Sequence, residues 1–89
     1  YNEALDEEVL TLLREQGVQG YTKWVKAYGK GVVSEPHLGT NVWPKANNVL
    51  AAVVDDEMTP RILDGIRALR ASVAREGVKA FVLPCEEVT

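Results

Sequence analysis

The chain nearly repeats itself at a spacing of 60 residues. Residues 14–21 (REQGVQGY) align with residues 74–81 (AREGVKAF), and each copy passes from an amphipathic segment through glycine into a β-type run. An apolar run at 48–54 precedes the second copy, whereas the matching run of the first would fall ahead of Tyr1. The repeat therefore predicts the order α-β-β-α-β, a βαββαβ domain whose opening strand is lacking from these 89 residues. We expect that strand to exist in the natural protein.

Two segments have the apolar spacing of amphipathic helices. The first begins with carboxylates, which suit a helix N-terminus, and ends at Gly17; the second begins at Thr59, as N-cap, with Pro60 in its first turn, and ends at Gly77. The apolar stripe of the first helix is Leu5, Val9, Leu12 and Leu13. The stripe of the second is Ile62, Leu63, Ile66, Leu69 and Val73.

Residues 20–28, 48–54 and 78–83 favour strands by their β-branched, aromatic or unbroken apolar character. Two helices with one apolar stripe each must cover one face of an antiparallel sheet. The chain is therefore predicted to be a single α+β domain, residues 1–89, with a ferredoxin-like sandwich fold. Strict alternation places Trp24 and Tyr28 on the same side of their strand as Lys26, and a second copy of the protein is the simplest cover for the other sheet face.

Composition excludes several classes of function. Thirteen acidic against ten basic residues give a net charge of −3, which offers no attraction for nucleic acid or an anionic membrane. No apolar run approaches the roughly 20 residues of a membrane helix, so we expect no membrane insertion. The single cysteine suits a reducing compartment, so a cytoplasmic protein is expected. With one histidine and no nucleophile beside a base, the chain is not expected to be an enzyme.

The arrangement resembles the PII-like superfamily of small signalling proteins. The resemblance covers nearly the whole chain and is carried by residues 16–18, 21–28, 29–31, 39–44 and 77–84. It implies a ferredoxin-like homotrimer whose sheets face inward, a partner-contacting loop at 31–44, and adenine nucleotides or other effectors bound in clefts between subunits near the base of that loop. The target contacted by the loop could be a membrane protein.

The chain also departs from the classical members of that superfamily. The glycine-rich and basic segment that holds nucleotide phosphates just before the final strand is absent here, and the 31–44 loop is shorter. The same architecture resembles the trimeric copper-tolerance proteins, which adds divalent metal binding as an alternative function.

Three sets of side chains are candidate functional sites. Gly29, Lys30 and Gly31 fall at the loop base, where backbone N–H groups and an ammonium could hold an anion such as a nucleotide phosphate, although a flexible strand exit explains them equally well. Lys45 adds to a locally basic patch that could draw the same ligand. The candidate metal ligands are Glu35, His37 and Cys85.

Each of the metal candidates also has an ordinary structural explanation, since the chain has no CxxC motif and no second histidine. The third set comprises Trp24, Tyr28 and Trp43. These aromatic side chains could stack on a ligand, but for a small sheet protein the sequence favours anchors of a subunit interface.

Overall fold

The computed structural model of the chain describes residues 1–29, 46–73 and 77–89. Two helices and a two-stranded antiparallel sheet make up its regular structure, and the two helices contact each other. The elements are α1 (Asp6–Glu15), β1 (Thr22–Ala27), β2 (Asn47–Ala51) and α2 (Thr59–Ser72). One turn of 3-10 helix leads into each α-helix, Glu3–Leu5 ahead of α1 and Asp56–Met58 ahead of α2. This arrangement confirms the predicted α+β, ferredoxin-like fold.

The ends of the helices follow from local chemistry, with two corrections. Gly17 has φ 86°, a left-handed conformation that glycine adopts without strain, and it terminates the turn after α1 as predicted. The predicted N-cap Thr59 is wrong by one position, because Met58 is the cap and Thr59 is already helical. The preceding 3-10 turn supplies the helix start in place of a side-chain cap. α2 ends at Ser72 and not at Gly77.

The core lies between the two helices and the sheet. Its buried members are Leu5, Val9, Leu13, Ile66 and Val78. Leu12, Ile62, Leu69 and Val73 are half-buried against it. The first predicted apolar stripe and the second, apart from Leu63, are therefore confirmed as core-facing. The helices approach closely at Gly65, where an added Cβ would lie 2.7 Å from Leu12 Cδ1. No helix among the described residues is both long enough and apolar enough to cross a membrane.

β1 and β2 pair in a register that is interrupted by a bulge. Thr22 faces Ala51 and Trp24 faces Val49, but Ala27 faces Asn47, so β1 has one extra residue between Trp24 and Ala27. Lys26, inside the bulge, has φ 58°. Facing residues share a side of the sheet, and Ala27 therefore joins Trp24 on one face. The predicted strict alternation, which placed Lys26 there, is wrong because the bulge shifts the period.

Residues 1–3 run beside β2 as a short extension of the sheet. The Tyr1 backbone nitrogen donates to the Asn48 carbonyl at 2.9 Å, and the Asn48 N–H donates to the Tyr1 carbonyl at 2.7 Å. The Glu3 N–H donates to the Ala46 carbonyl at 3.1 Å. On its other side, the Asn2 N–H donates to the Gly77 carbonyl at 3.1 Å. These residues therefore lie between β2 and Gly77, where the sequence repeat places the end of an opening strand.

The predicted strand at 78–83 is wrong for the described structure, which assigns no strand to residues 77–89. Val78 is only 2% exposed and belongs to the core, but Phe81 and Leu83 are 83% and 80% exposed. A strand is defined by a ladder of hydrogen bonds with a neighbour. Residues 1–3 supply such a neighbour beside Gly77 and not beside the residues that follow it.

Candidate functional site

The predicted anion site is only partly within the described residues. Gly29 follows β1 and is exposed. A Cβ atom added to Gly29 would lie 3.5 Å from Asn47 Nδ2. It is thus next to the residue at which β2 begins. Lys30, Gly31 and Lys45 fall in residues 30–45, outside the described part of the chain. Anion binding at this loop base stays a prediction.

The three predicted metal ligands are likewise divided. Glu35 and His37 lie outside the described residues, while the exposed Cys85 thiol donates to the Glu87 carbonyl at 3.7 Å. Within residues 1–29, 46–73 and 77–89, no group of three or more histidine, cysteine, aspartate or glutamate side chains is arranged to hold a metal ion. Metal binding through Glu35, His37 and Cys85 stays a prediction.

Of the three predicted aromatic residues, Trp24 is the one that the strand register assigns to a face of the sheet. Lys23 and Leu50 face each other on the helix side, since Lys23 reaches α1 and Leu50 packs on the core. Trp24 and its partner Val49 are the next residues along, so they lie on the opposite face. Trp24 is 54% exposed there, Tyr28 is also exposed, and Trp43 is outside the described residues. Their role as subunit contacts stays a prediction.

A polar cluster that the sequence did not indicate joins the sheet to α1. Asp6 lies at its centre: Asp6 Oδ1 accepts from the Tyr1 hydroxyl at 2.7 Å and from Asn48 Nδ2 at 3.1 Å, and Asp6 Oδ2 accepts from Lys23 Nζ at 3.0 Å. Asn48 is buried, and Asp6 and Lys23 are half-buried. We call these four residues the Asp6 cluster. It connects residue 1, α1, β1 and β2, and so fixes the strand from which the 30–45 segment departs.

The Asp6 cluster changes the proton affinities of two of its members. Hydrogen bonds, first from Tyr1 and then from Lys23, lower the pKa of the Asp6 carboxyl below its usual value. Burial, reinforced by the hydrogen bond to Asp6, raises the pKa of the Tyr1 hydroxyl to about 12. At neutral pH the cluster therefore holds a carboxylate that accepts from one ammonium, one phenol and one amide.

The raised pKa of Tyr1 gives a testable expectation in alkaline solution. Since the folded pKa lies above the ordinary tyrosine value of about 10, the stability this hydroxyl contributes is present below pH 10 and is lost as pH rises towards 12. At pH 11 we expect about a tenth of Tyr1 to be ionised, against roughly nine-tenths of a free tyrosine. The measurement is the phenolate absorbance of the native protein minus that of Tyr1→Phe.

The Asp6→Asn variant serves as the control for that titration. It should lower the midpoint of Tyr1 ionisation and still leave it above the free value, because burial is the larger cause. A Tyr1 midpoint at the ordinary value in the native protein would contradict the geometry of the cluster.

A surface cleft of about 280 Å³ lies between the turn after α1 and the connection from β2 to α2. Its lining residues are Gly17, Val18, Gln19, Gly20, Val53, Val54, Asp55 and Met58. The cleft adjoins one end of the two-stranded sheet, where Thr22 faces Ala51, whereas Gly29 adjoins the opposite end of the sheet. Five residues of extended strand separate these ends by roughly 16 Å. Within one chain, the cleft and the predicted loop-base site are therefore different places.

The sequence analysis did not single out this cleft. Its only local signal is the pair Gly17 and Gly20, which bracket the turn and expose backbone groups. Its volume lies just below the roughly 300 Å³ at which ligand pockets usually start, so we assign it no ligand.

The family model described as "Nitrogen regulatory protein P-II" matches residues 1–89. The chain matches no curated protein and no solved structure.

Proposed function

Because the chain belongs to the nitrogen regulatory protein P-II family, we propose that this regulatory protein works as a homotrimer, holds a small anion or nucleotide in clefts between subunits, and presents residues 31–44 to a target protein. The observation that carries the proposal is the extent of the family match, which includes both helices, both strands and the segment between the strands.

The exposed face of the ribbon supports assembly into an oligomer. Trp24 and Val49 form an apolar pair on the sheet face that the helices do not cover, and both are about half exposed. A tryptophan on such a surface is a frequent anchor of protein interfaces. In a trimer whose sheets face inward, this face would be the one that meets the neighbouring subunits.

The pairing of β1 with β2 supports the role assigned to the loop. Both strands lead into residues 30–45, and Ala27 faces Asn47 at the point of departure. The bulge at Lys26 lies just before that point, and the Asp6 cluster holds β1 at Lys23, near the start of the strand. A loop on a rigid base is well suited to contact a partner while its ends stay in place.

The remaining parts of the proposal follow from the regulatory character of the family. We propose that the protein is not an enzyme, that it acts in the cytoplasm without binding nucleic acid, and that its target is another protein, which could be a membrane protein. The ligand would be recognised as an anion at the loop base, by Gly29, Lys30, Gly31 and Lys45.

Native mass spectrometry in the presence of a panel of adenine nucleotides tests this proposal. We expect an assembly of three times the 9.8 kDa chain mass, carrying up to one nucleotide per subunit. Lys30→Ala should weaken nucleotide binding about tenfold or more, because a charge-assisted hydrogen bond contributes roughly 1.5–3 kcal/mol.

The matched control is Lys79→Ala, which removes an exposed lysine far along the chain from the loop base. It should leave nucleotide affinity unchanged. A monomer under all conditions would contradict the proposed assembly. A trimer that takes up none of the nucleotides would contradict the proposed nucleotide binding.

A further inference from the structure

The bulge in β1 holds a residue in a conformation that its side chain disfavours. Among residues 1–29, 46–73 and 77–89, Lys26 is the one non-glycine residue with a positive φ, at 58°. An L-residue with a Cβ atom enters this left-handed region only at a cost, and the residues that enter it most readily are glycine, asparagine and aspartate. Such a residue persists only while the surrounding contacts hold it there.

The contacts that hold β1 are unequal on the two sides of the bulge. Before it, residues 22–24 each face a residue of β2, and Lys23 Nζ donates to Asp6 Oδ2 at 3.0 Å. After it, the facing pair Ala27 and Asn47 ends the strand. A change of register is therefore confined to the residues after Trp24.

A second register removes the disfavoured conformation. If pairing continued without a bulge from Trp24 and Val49, Lys26 would face Asn47 with an ordinary extended φ. We call this the regular register and the observed one the bulged register. The exchange moves the chain after Trp24 along β2 by one residue, about 3.3 Å, and turns each of its side chains to the opposite face of the sheet.

The two registers give different side chains to the sheet face that the helices leave uncovered. We call this the open face; Trp24 and Val49 lie on it. In the bulged register Ala27 is the next residue of β1 on the open face, whereas in the regular register Lys26 takes that position. Because burying an ammonium without a partner is costly, a neighbouring subunit on the open face favours the bulged register.

We propose that β1 exchanges between the bulged and the regular register, and that burial of the open face by a second copy of the chain selects the bulged one. Assembly thereby sets the position and the face from which residues 30–45 leave the sheet. The exchange is a property of the chain itself, whereas its coupling to assembly rests on the proposed function.

Hydrogen exchange at the Ala27 amide distinguishes the registers. Asn48 directs its N–H and C=O to Tyr1, on the edge away from β1, so the neighbouring Asn47 directs its own to β1. The Ala27 amide is thus bonded to Asn47 in the bulged register and points away from β2 in the regular one. The Trp24 amide faces Val49 in both registers and is the internal reference.

Two substitutions of Lys26 shift the exchange in opposite directions. Lys26→Gly removes the cost of the left-handed conformation and should slow Ala27 exchange, relative to Trp24, by about five- to thirtyfold. Lys26→Val, whose branched side chain is a poor fit to a positive φ, should speed Ala27 exchange and protect the amide of residue 26 instead. Thr22→Gly, which places glycine at an ordinary strand position, should leave the ratio unchanged.

The coupling to assembly is tested with Val49→Glu, which places a charge on the open face and should separate the subunits. Ala27 exchange relative to Trp24 should be faster in this variant than in the assembled native protein, and equal ratios would refute the coupling. An Ala27 rate that Lys26→Gly leaves unchanged would refute the register exchange itself. If the native protein is a monomer throughout, the coupling fails together with the proposed assembly, while the Lys26 variants still decide the exchange.

Discussion

Gly65→Val is expected to lower the free energy of unfolding by about 2–3 kcal/mol, the usual cost of overpacking a close contact. A Cβ at this position would lie 2.7, 3.0 and 3.3 Å from three carbon atoms of Leu12, whereas carbon atoms prefer separations of about 3.5–4.0 Å. Valine adds two further methyl groups to the same space. For a chain of this length the midpoint of thermal unfolding should fall by about 15 °C, which differential scanning calorimetry measures.

The control for Gly65→Val is Ala68→Val, which introduces the same side chain at an exposed position of α2. It should change the free energy of unfolding by no more than about 0.5 kcal/mol. Leu12→Ala in the Gly65→Val background should recover part of the loss, since it removes the atoms that clash. Helix propensity opposes the expected loss, because valine favours a helix more than glycine does and less than alanine does. If Ala68→Val were as damaging as Gly65→Val, the contact with Leu12 would not be the cause of the loss.

The parts of this fold that the sequence predicted are those determined by local periodicity. The stripes of α1 and α2 could be located because an amphipathic helix repeats its apolar residues every three or four positions. Gly17 could be assigned to a helix end because few other residues adopt its backbone conformation. The order helix, strand, strand, helix followed from the repeat, which needs no knowledge of distant contacts.

The parts that the sequence did not predict depend on contacts between distant residues. The bulge at Lys26 has no glycine to mark it, so the face occupied by Ala27 could only be found from the register. The strand predicted at 78–83 has suitable residues, but strand formation also requires a neighbour along its whole length. Apolar character alone could not distinguish a paired strand from an exposed segment.

The candidate site was less predictable than the fold, for the same reason. The sequence explains Asp6 as one of the carboxylates that suit the N-terminus of α1. That position is confirmed, yet Asp6 also accepts hydrogen bonds from Lys23 and, across 42 positions of chain, from Asn48. A single sequence contains no local pattern for such a cluster.

Asp6→Ala is expected to lower the free energy of unfolding by about 2–4 kcal/mol, because donors that lose their acceptor in a partly buried site cost about 1–3 kcal/mol each. The amide of buried Asn48 suffers most, whereas the Tyr1 hydroxyl and Lys23 Nζ can partly turn to water. Urea unfolding followed by tryptophan fluorescence measures the loss.

The Asp6 carboxylate should also make the free energy of unfolding depend on pH in acidic solution. The folded pKa of Asp6 is lowered by its hydrogen bonds, so its contribution is present above the unfolded value of about 3.9 and disappears as pH falls through the folded value. Asp6→Asn keeps one acceptor oxygen and does not titrate. The stability difference between the native protein and Asp6→Asn should therefore be constant between about pH 5 and about pH 9 and shrink below about pH 4.

Asp64→Ala is the control that compares the Asp6 cluster with an ordinary exposed ion pair. Asp64 Oδ1 accepts from Arg67 Nη1 at 3.0 Å, the same distance as the Lys23–Asp6 pair, but both partners are exposed. An exposed pair on a helix contributes about 0.3–0.5 kcal/mol, so this variant should be nearly neutral. Equal losses for Asp64→Ala and Asp6→Ala would mean that the cluster adds nothing beyond a surface ion pair. A much larger loss for Asp6→Ala would show that one partly buried carboxylate stabilises β1. It would then also stabilise the base from which residues 30–45 depart.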